Sequence, residues 1–155
     1  DHQIQPSYVF ILGFPTESWQ QMQTTLDFMK QLKEIYADTR TTTLFFTPFP
    51  GTPLTRLGEA SGFTMPATLK DWSGYDARTV QTPWITRQQK IKVKQIADFY
   101  IPWAYPNQLG REKMARAGAL KPLFWLFTGV CRARVRAGFY SLPWEWHLAR
   151  RLKLT

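Results

Sequence analysis

Hydrophobic and polar positions change period twice within the first fifty residues. Ser7-Tyr8-Val9-Phe10-Ile11-Leu12 is a near-continuous apolar run rich in aromatic and branched side chains, closed by Gly13-Phe14-Pro15. Such a run predicts a parallel-sheet strand buried on both faces. Ser18 then offers a helix cap, with Gln21 three residues on completing a capping box, and Trp19, Met22, Leu26, Met29, Leu32 and Ile35 follow at helical spacing. That spacing predicts a helix of about five turns. Thr42 to Thr47 is strand-like again and stops at the run Pro48-Phe49-Pro50-Gly51-Thr52-Pro53. Strand, helix and strand in this order predict a right-handed βαβ unit with parallel neighbouring strands.

Beyond Pro53 the pattern becomes helical and broken. Leu54 to Ala60 suits a short helix stopped near Gly62, and Met65 to Trp84 has no sustained period, which predicts irregular chain with a turn at Ser73-Gly74. Thr86 can cap a long helix carrying Ile91, Val93, Ile96, Phe99 and Tyr100 and ending near Ile101, ahead of Pro102. Pro102 to Gly118, rich in Pro, Asn and Gly, reads as a spacer between helical segments, and Leu123–Ala137 and Trp144–Leu152 complete the helices. Two strands cannot make a sheet that buries both faces, so the βαβ unit is expected to need further strands from a neighbouring segment.

Composition narrows the class. With 155 residues, 44% hydrophobic and 20% charged, the chain has the make-up of one folded domain rather than a disordered one. Cys131 is the single cysteine, which excludes an internal disulfide scaffold, a multi-thiolate zinc site and an iron–sulfur cluster held by this chain alone, and favours a reducing, cytoplasmic setting. The longest strongly apolar run, Leu123 to Phe127, is five residues, far below the roughly 20 a membrane-spanning helix needs. Asp1 to Pro6 has neither the basic start nor the apolar stretch of a signal peptide, and no initiator Met stands before it; the chain is expected to be an internal cut of a longer one.

Charge is segregated along the chain. Residues 1–85 carry six Lys and Arg against eight Asp and Glu, while residues 86–155 carry fourteen against three, which gives the overall +9. A basic second half with Trp144, Trp146, Arg132, Arg134 and Arg136 fits an anionic membrane surface, an RNA face or a solvated lid helix. No nucleic-acid motif accompanies the charge, so nucleic acid is not the expected partner. His2 and His147 lack metal spacing, and Glu17, Glu34 and Asp38 form no legible catalytic pair.

The chemistry-bearing features are the two strand exits. Gly13 permits close backbone approach at the carboxyl end of a parallel strand, where α/β proteins place ligands, and the helix start after it favours an anionic group. The second strand ends in three prolines and a glycine within six residues, which fixes a rigid loop at the same sheet edge.

Those residues carry a resemblance. Ile11-Leu12-Gly13-Phe14-Pro15-Thr16-Glu17, followed by Thr25-Leu26-Asp27-Phe28, resembles the Gly-Phe-Pro-Gly-Glu turn of radical S-adenosylmethionine enzymes. Pro48-Phe49-Pro50-Gly51-Thr52-Pro53-Leu54 is similar to the Pro-Tyr-Pro-Gly-Thr-Pro-Leu loop that closes their last barrel strand. Gly62-Phe63, Pro66, Leu69, Trp72 and Thr82-Pro83-Trp84, with Arg134 to Tyr140 and Leu142-Pro143-Trp144-Glu145-Trp146, resemble the tail of the cobalamin-binding branch, which includes the anaerobic magnesium-protoporphyrin cyclase type. Thr16 departs from the family's usual glycine, and the three-cysteine cluster loop has no counterpart here.

The resemblance implies an α/β fold: the last two strand–helix steps of a partial parallel (β/α) barrel over residues 1–60, then an irregular and helical extension over 61–155. It implies the C-terminal part of an enzyme performing radical methylation, cyclisation or related C–H chemistry, inactive as this piece alone. The cofactors implied are S-adenosylmethionine, a 4Fe-4S cluster and cobalamin, with cluster and cobalamin ligands outside this chain. On that analogy Ile11 packs against the adenine and Gly13 leaves room for it, with Phe14 and Pro15 in the same turn; Phe46 and Thr47 border the cofactor, and Phe49, Pro50 and Gly51 form the substrate-side loop. No catalytic or metal-binding residue is expected in the chain. The implied partners are the remainder of the enzyme, a small-molecule substrate, an electron donor and, as an option, a membrane surface touched peripherally.

Overall fold

The computed structural model describes residues 4–73, 75 and 80–151. Strand β1 (Ser7–Leu12) and strand β2 (Arg40–Phe45) pair in parallel, with Ser7 opposite Arg40 and Leu12 opposite Phe45. Between them runs α1 (Trp19–Ile35), capped by Ser18, whose side chain accepts from Gln21 N while Gln21 Oε1 accepts from Ser18 N. The predicted βαβ unit and capping box are both present. β2 lies two residues earlier than its apolar pattern suggested, because Arg40 N donates to Pro6 O at 2.8 Å and starts the ladder before the hydrophobic stretch begins.

Register fixes the faces. Phe10, on the α1 side, meets Phe28 edge-on, and Leu12 is fully buried. Val9, Ile11 and Leu44 point the other way and are 59%, 48% and 44% exposed. The expectation of a strand buried on both faces is therefore corrected within this chain: helices cover one face, and no described element covers the other.

After β2 come α2 (Pro53–Ala60) and the one-turn α3 (Leu69–Trp72), which Thr68 caps with Asp71 inside the stretch expected to be irregular. The turn placed at Ser73-Gly74 falls partly outside the described residues. Thr86 caps α4 (Arg87–Lys94) as expected, but the helix does not stop at Pro102. It opens into a π-helical turn (Gln95–Tyr100) and continues as α5 (Ile101–Ala104). Ile101 N reaches back five residues to Ile96 O; the widened turn relieves the clash a proline ring makes one turn back, at a residue with no N–H to satisfy.

The spacer expected at Pro102–Gly118 instead holds α5 and α6 (Gln108–Ala115), the latter capped by Asn107. A short 3-10 turn leads into α7 (Lys121–Ala137), with Pro122 in its first turn and Gly138 in the left-handed conformation at its end. α8 (Trp144–Arg151) closes the described chain; Leu152, placed in that helix from sequence, lies outside the described residues. One core joins Leu12, Met22, Leu26 and Met29 of the βαβ unit to Val93, Phe99, Tyr100, Phe127, Cys131 and Val135 of the later helices. The architecture is mixed α/β, mostly helical, with two parallel strands among the described residues. No helix is long and apolar enough to cross a membrane, among the described residues.

Candidate functional site

Both strand exits lie at one edge of the sheet. Gly13 ends β1 with φ +77°, and Glu17 folds back so that its carboxylate accepts from Gly13 N and from Phe14 N. Backbone amides at a helix entrance usually invite an anion. Here the chain supplies its own, so Gly13 and Phe14 are occupied internally. A Cβ at Gly13 would lie 3.3 Å from Ile85 Cδ1 and 3.5 Å from Phe45 Cδ1. The side of Gly13 on which a gap for a ligand was inferred is thus filled by Ile85.

The second exit is held against the first by aromatic rings. Phe46 N donates to Leu12 O at 2.8 Å, and the Phe46 ring stacks on Phe14 at 4.9 Å and 25°. Trp84, from the extension, donates Nε1 to Gly13 O at 2.7 Å and lies against Phe46 and Phe63. Gly58 of α2 makes room for it, since a Cβ there would come within 3.1 Å of the indole Cη2. Gly13, Phe14, Phe46 and Trp84 therefore form one cluster, with Pro15 half-buried beside it.

Thr47 turns inward, donating Oγ1 to Phe45 O at 3.3 Å, and is buried. The loop that follows is braced at its carbonyls. Thr52 Oγ1 donates to Phe49 O at 3.1 Å, Thr55 Oγ1 donates to the same oxygen, and Tyr75 donates to Pro48 O. Burial raises the Tyr75 phenol above its ordinary value, keeping it a donor at neutral pH. Phe49 stays exposed, and Pro50 and Gly51 line a cleft of about 360 Å³ with Thr52, Arg56, Glu59 and Trp72. Ile11 stands apart from both clusters, on the bare sheet face beside Leu44.

Other groups singled out from sequence are structural. Burial, with Glu145 nearby, pushes the Cys131 thiol up to about 12, so it stays protonated inside the helical layer. His147 lies edge-on to Trp146; His2 is outside the described residues. Among the described residues no group of three His, Cys, Asp or Glu could hold a metal ion. Of the three arginines singled out on α7, Arg136 is exposed and the other two bond within the chain. Arg134 Nε pairs with buried Glu145 at 2.5 Å and its other nitrogens reach Ser141 O and Leu142 O, while Arg132 Nε donates to Ala104 O at 3.1 Å.

Sequence reasoning missed two features here. From sequence Glu17 reads as a possible acid and as the last residue of the resembling turn, not as the group that closes it, although a carboxylate four residues beyond a strand-ending glycine is itself a signal for that role. The Tyr100–Glu145–Arg134 network left no local signal, because its members lie 11 to 45 residues apart. In comparisons with protein-family models, curated proteins and solved structures, nothing matches this chain.

Proposed function

We propose that this chain is the C-terminal part of a cytoplasmic radical S-adenosylmethionine enzyme of the cobalamin-binding type, and that its sheet continues a partial parallel barrel supplied by preceding sequence. The observation that carries the reading is the bare apolar sheet face of Val9, Ile11 and Leu44, next to two strand exits braced at the same edge. An apolar face of this kind is what a parallel sheet keeps for its own interior.

The chain's residues fit the implied cofactors unequally. Ile11 offers an apolar side chain on the open face, suited to an adenine ring, and Phe14 and Phe46 border the adjoining edge. The amides of Gly13 and Phe14 are taken by Glu17 and offer no hold for an anionic group. One buried thiol cannot supply three cluster ligands, and no residue here is assigned to cobalamin. When bound in the whole enzyme, cluster and S-adenosylmethionine would supply radical initiation under reduction by an electron donor; this chain's part is to shape the adenine side and the substrate-side loop Phe49-Pro50-Gly51.

The test is the full-length gene product purified without oxygen. Iron and sulfide in the proportion of a 4Fe-4S cluster, with 5′-deoxyadenosine released from S-adenosylmethionine under reduction, is the expected result. A longer chain that lacks a three-cysteine loop, or one that binds no iron after reconstitution, overturns it.

A second reading, a non-catalytic module on an anionic membrane, is favoured by one observation. Pro122, Trp125, Leu126, Gly129 and Ala133 share an outward stripe of α7, where Trp125 is 65% and Leu126 63% exposed, and Lys121 stands at its start. Since Arg132 and Arg134 are engaged internally, this surface, rather than the arginines, would make the contact. Cosedimentation with phosphatidylglycerol vesicles, lost in Trp125→Ser/Leu126→Ser, is the expected result; equal binding to phosphatidylcholine, or binding to RNA instead, overturns it.

A further inference from the structure

An apolar cleft bordered by charged side chains lies far from the strand exits, where the end of α1 meets α5, α6 and α7. It measures about 490 Å³, within the roughly 300–1,000 Å³ usual for small-ligand sites. Trp103 and Phe124 form one wall, their rings parallel to within 7° and 5.8 Å apart. Leu109 and Met114 of α6 line it as well, and its only charged lining residues are two cations, Lys33 and Lys113.

Lys33 is the telling residue. It is 5% exposed, and among the described residues its one hydrogen bond runs from Nζ to Ala37 O at 2.8 Å. An ammonium has three donors to satisfy. Asp38, the acid whose charge acts on Lys33, makes its own bonds to Arg111 at 3.1 Å and to Gln108 N rather than to the amine. Desolvation lowers the Lys33 pKa, with Asp38 opposing and Arg111 adding to the shift. A buried, under-coordinated ammonium bordering an apolar cleft is stabilised by an anion that brings its own apolar body.

We infer that this cleft is a binding site for a small planar carboxylate, its flat body against Trp103 and Phe124 and its carboxylate between Lys33 and Lys113. The aromatic lining favours a planar body over a bulky one, because a flat ring can pack against the free side of Trp103 or Phe124. The two lysines select an anion over a neutral or cationic analogue. The site is built from the helical layer alone and does not rest on the radical-enzyme reading.

The probes are 2-naphthoate, its neutral isostere 2-naphthamide and 2-naphthylmethylammonium, titrated into the whole chain by calorimetry and by ligand-observed NMR. Saturable one-to-one binding of the naphthoate, with the amide about tenfold weaker and the ammonium weaker still, is expected from a charge-assisted contact. Lys113→Gln, at an exposed position, should remove most of the preference for the carboxylate while leaving the amide unchanged, and Phe124→Leu should weaken both with the circular dichroism of the fold retained. The inference is overturned by equal binding of acid and amide, by a Lys113→Gln variant that keeps the full preference, or by no saturable binding of the naphthoate. Loss of the site on Ile11→Ser/Leu44→Ser would place the probe on the bare sheet face and also overturn it.

Discussion

Trp84 Nε1 donates to Gly13 O at 2.7 Å, joining residues 71 apart in sequence. The bond ties the first strand exit to the segment that follows α2 and α3, so the turn with its left-handed glycine is held from outside the βαβ unit. Trp84→Phe keeps most of the ring packing and leaves the buried Gly13 carbonyl without this donor, at an expected cost of about 1–3 kcal/mol. Urea unfolding, with the Phe46→Leu variant as a packing control, measures it.

Gly13 and Gly51 allow a paired comparison. Both have positive φ, +77° and +79°, but a Cβ at Gly13 meets Ile85 whereas one at Gly51 meets nothing within 4 Å. Gly51→Ala should cost only the conformational penalty, about 1–2 kcal/mol. Gly13→Ala should cost clearly more in the same denaturation experiment, because Ile85 must also move.

Glu145 is fully buried, bonded to Arg134 and to the Tyr100 hydroxyl at 3.2 Å. Removing one partner of such a pair strands the other, so Arg134→Met should destabilise the chain by about 3–5 kcal/mol. If Arg134→Met instead kept the wild-type melting temperature and lost only affinity for vesicles, the arginine would have a surface role after all.

Alkaline pH should loosen the helical layer. The Cys131 thiol rises from 9.0 to about 12 and the Tyr140 phenol from 10.0 to about 12, both chiefly through burial. The unfolded chain sheds these protons first, so their contribution is whole below pH 9 and falls away between pH 9 and 12. Lys33 and Lys90, lowered by burial, work in the opposite sense toward pH 10.5. Cys131→Val isolates the thiol: its stability should decline less over pH 9–11 than that of the parent, read as the urea midpoint at each pH.

Ile11 tests the reading of the bare face. Ile11→Ser should change the stability of this chain by no more than about 0.5 kcal/mol, as at an ordinary exposed site. In a longer chain that completes a barrel, the same substitution would sit in an apolar interior and should cost about 2–5 kcal/mol. Equal, small effects in both would remove the barrel interior from consideration.

Legibility varied by element. β1, α1 with its capping box, α2 and the Thr86 cap were readable because each is set by neighbours within four residues. The continuation through Pro102 was not, since a π-turn depends on which residues the widened helix packs against; Phe99, Tyr100 and Ile101 are all buried. α6 was hidden by its composition: Pro106, Asn107 and Gly110 read as a loop, yet Asn107 caps a helix. At the candidate site, Gly13, Phe14 and Phe46 were named from sequence and do cluster, while Ile11 and the Phe49–Gly51 loop stand elsewhere.

Short-range pattern in the chain sufficed for the local units, two strands, the helix between them and the caps, because period, β-branching and side-chain-to-backbone bonds act over a few residues. Tertiary structure alone decided that Trp84 and Ile85 close the Gly13 turn, that Arg134 faces inward to Glu145, and that Lys33 borders an apolar cleft. Those outcomes depend on which distant groups burial brings together, and burial is set by the packing of whole helices rather than by any short stretch of chain.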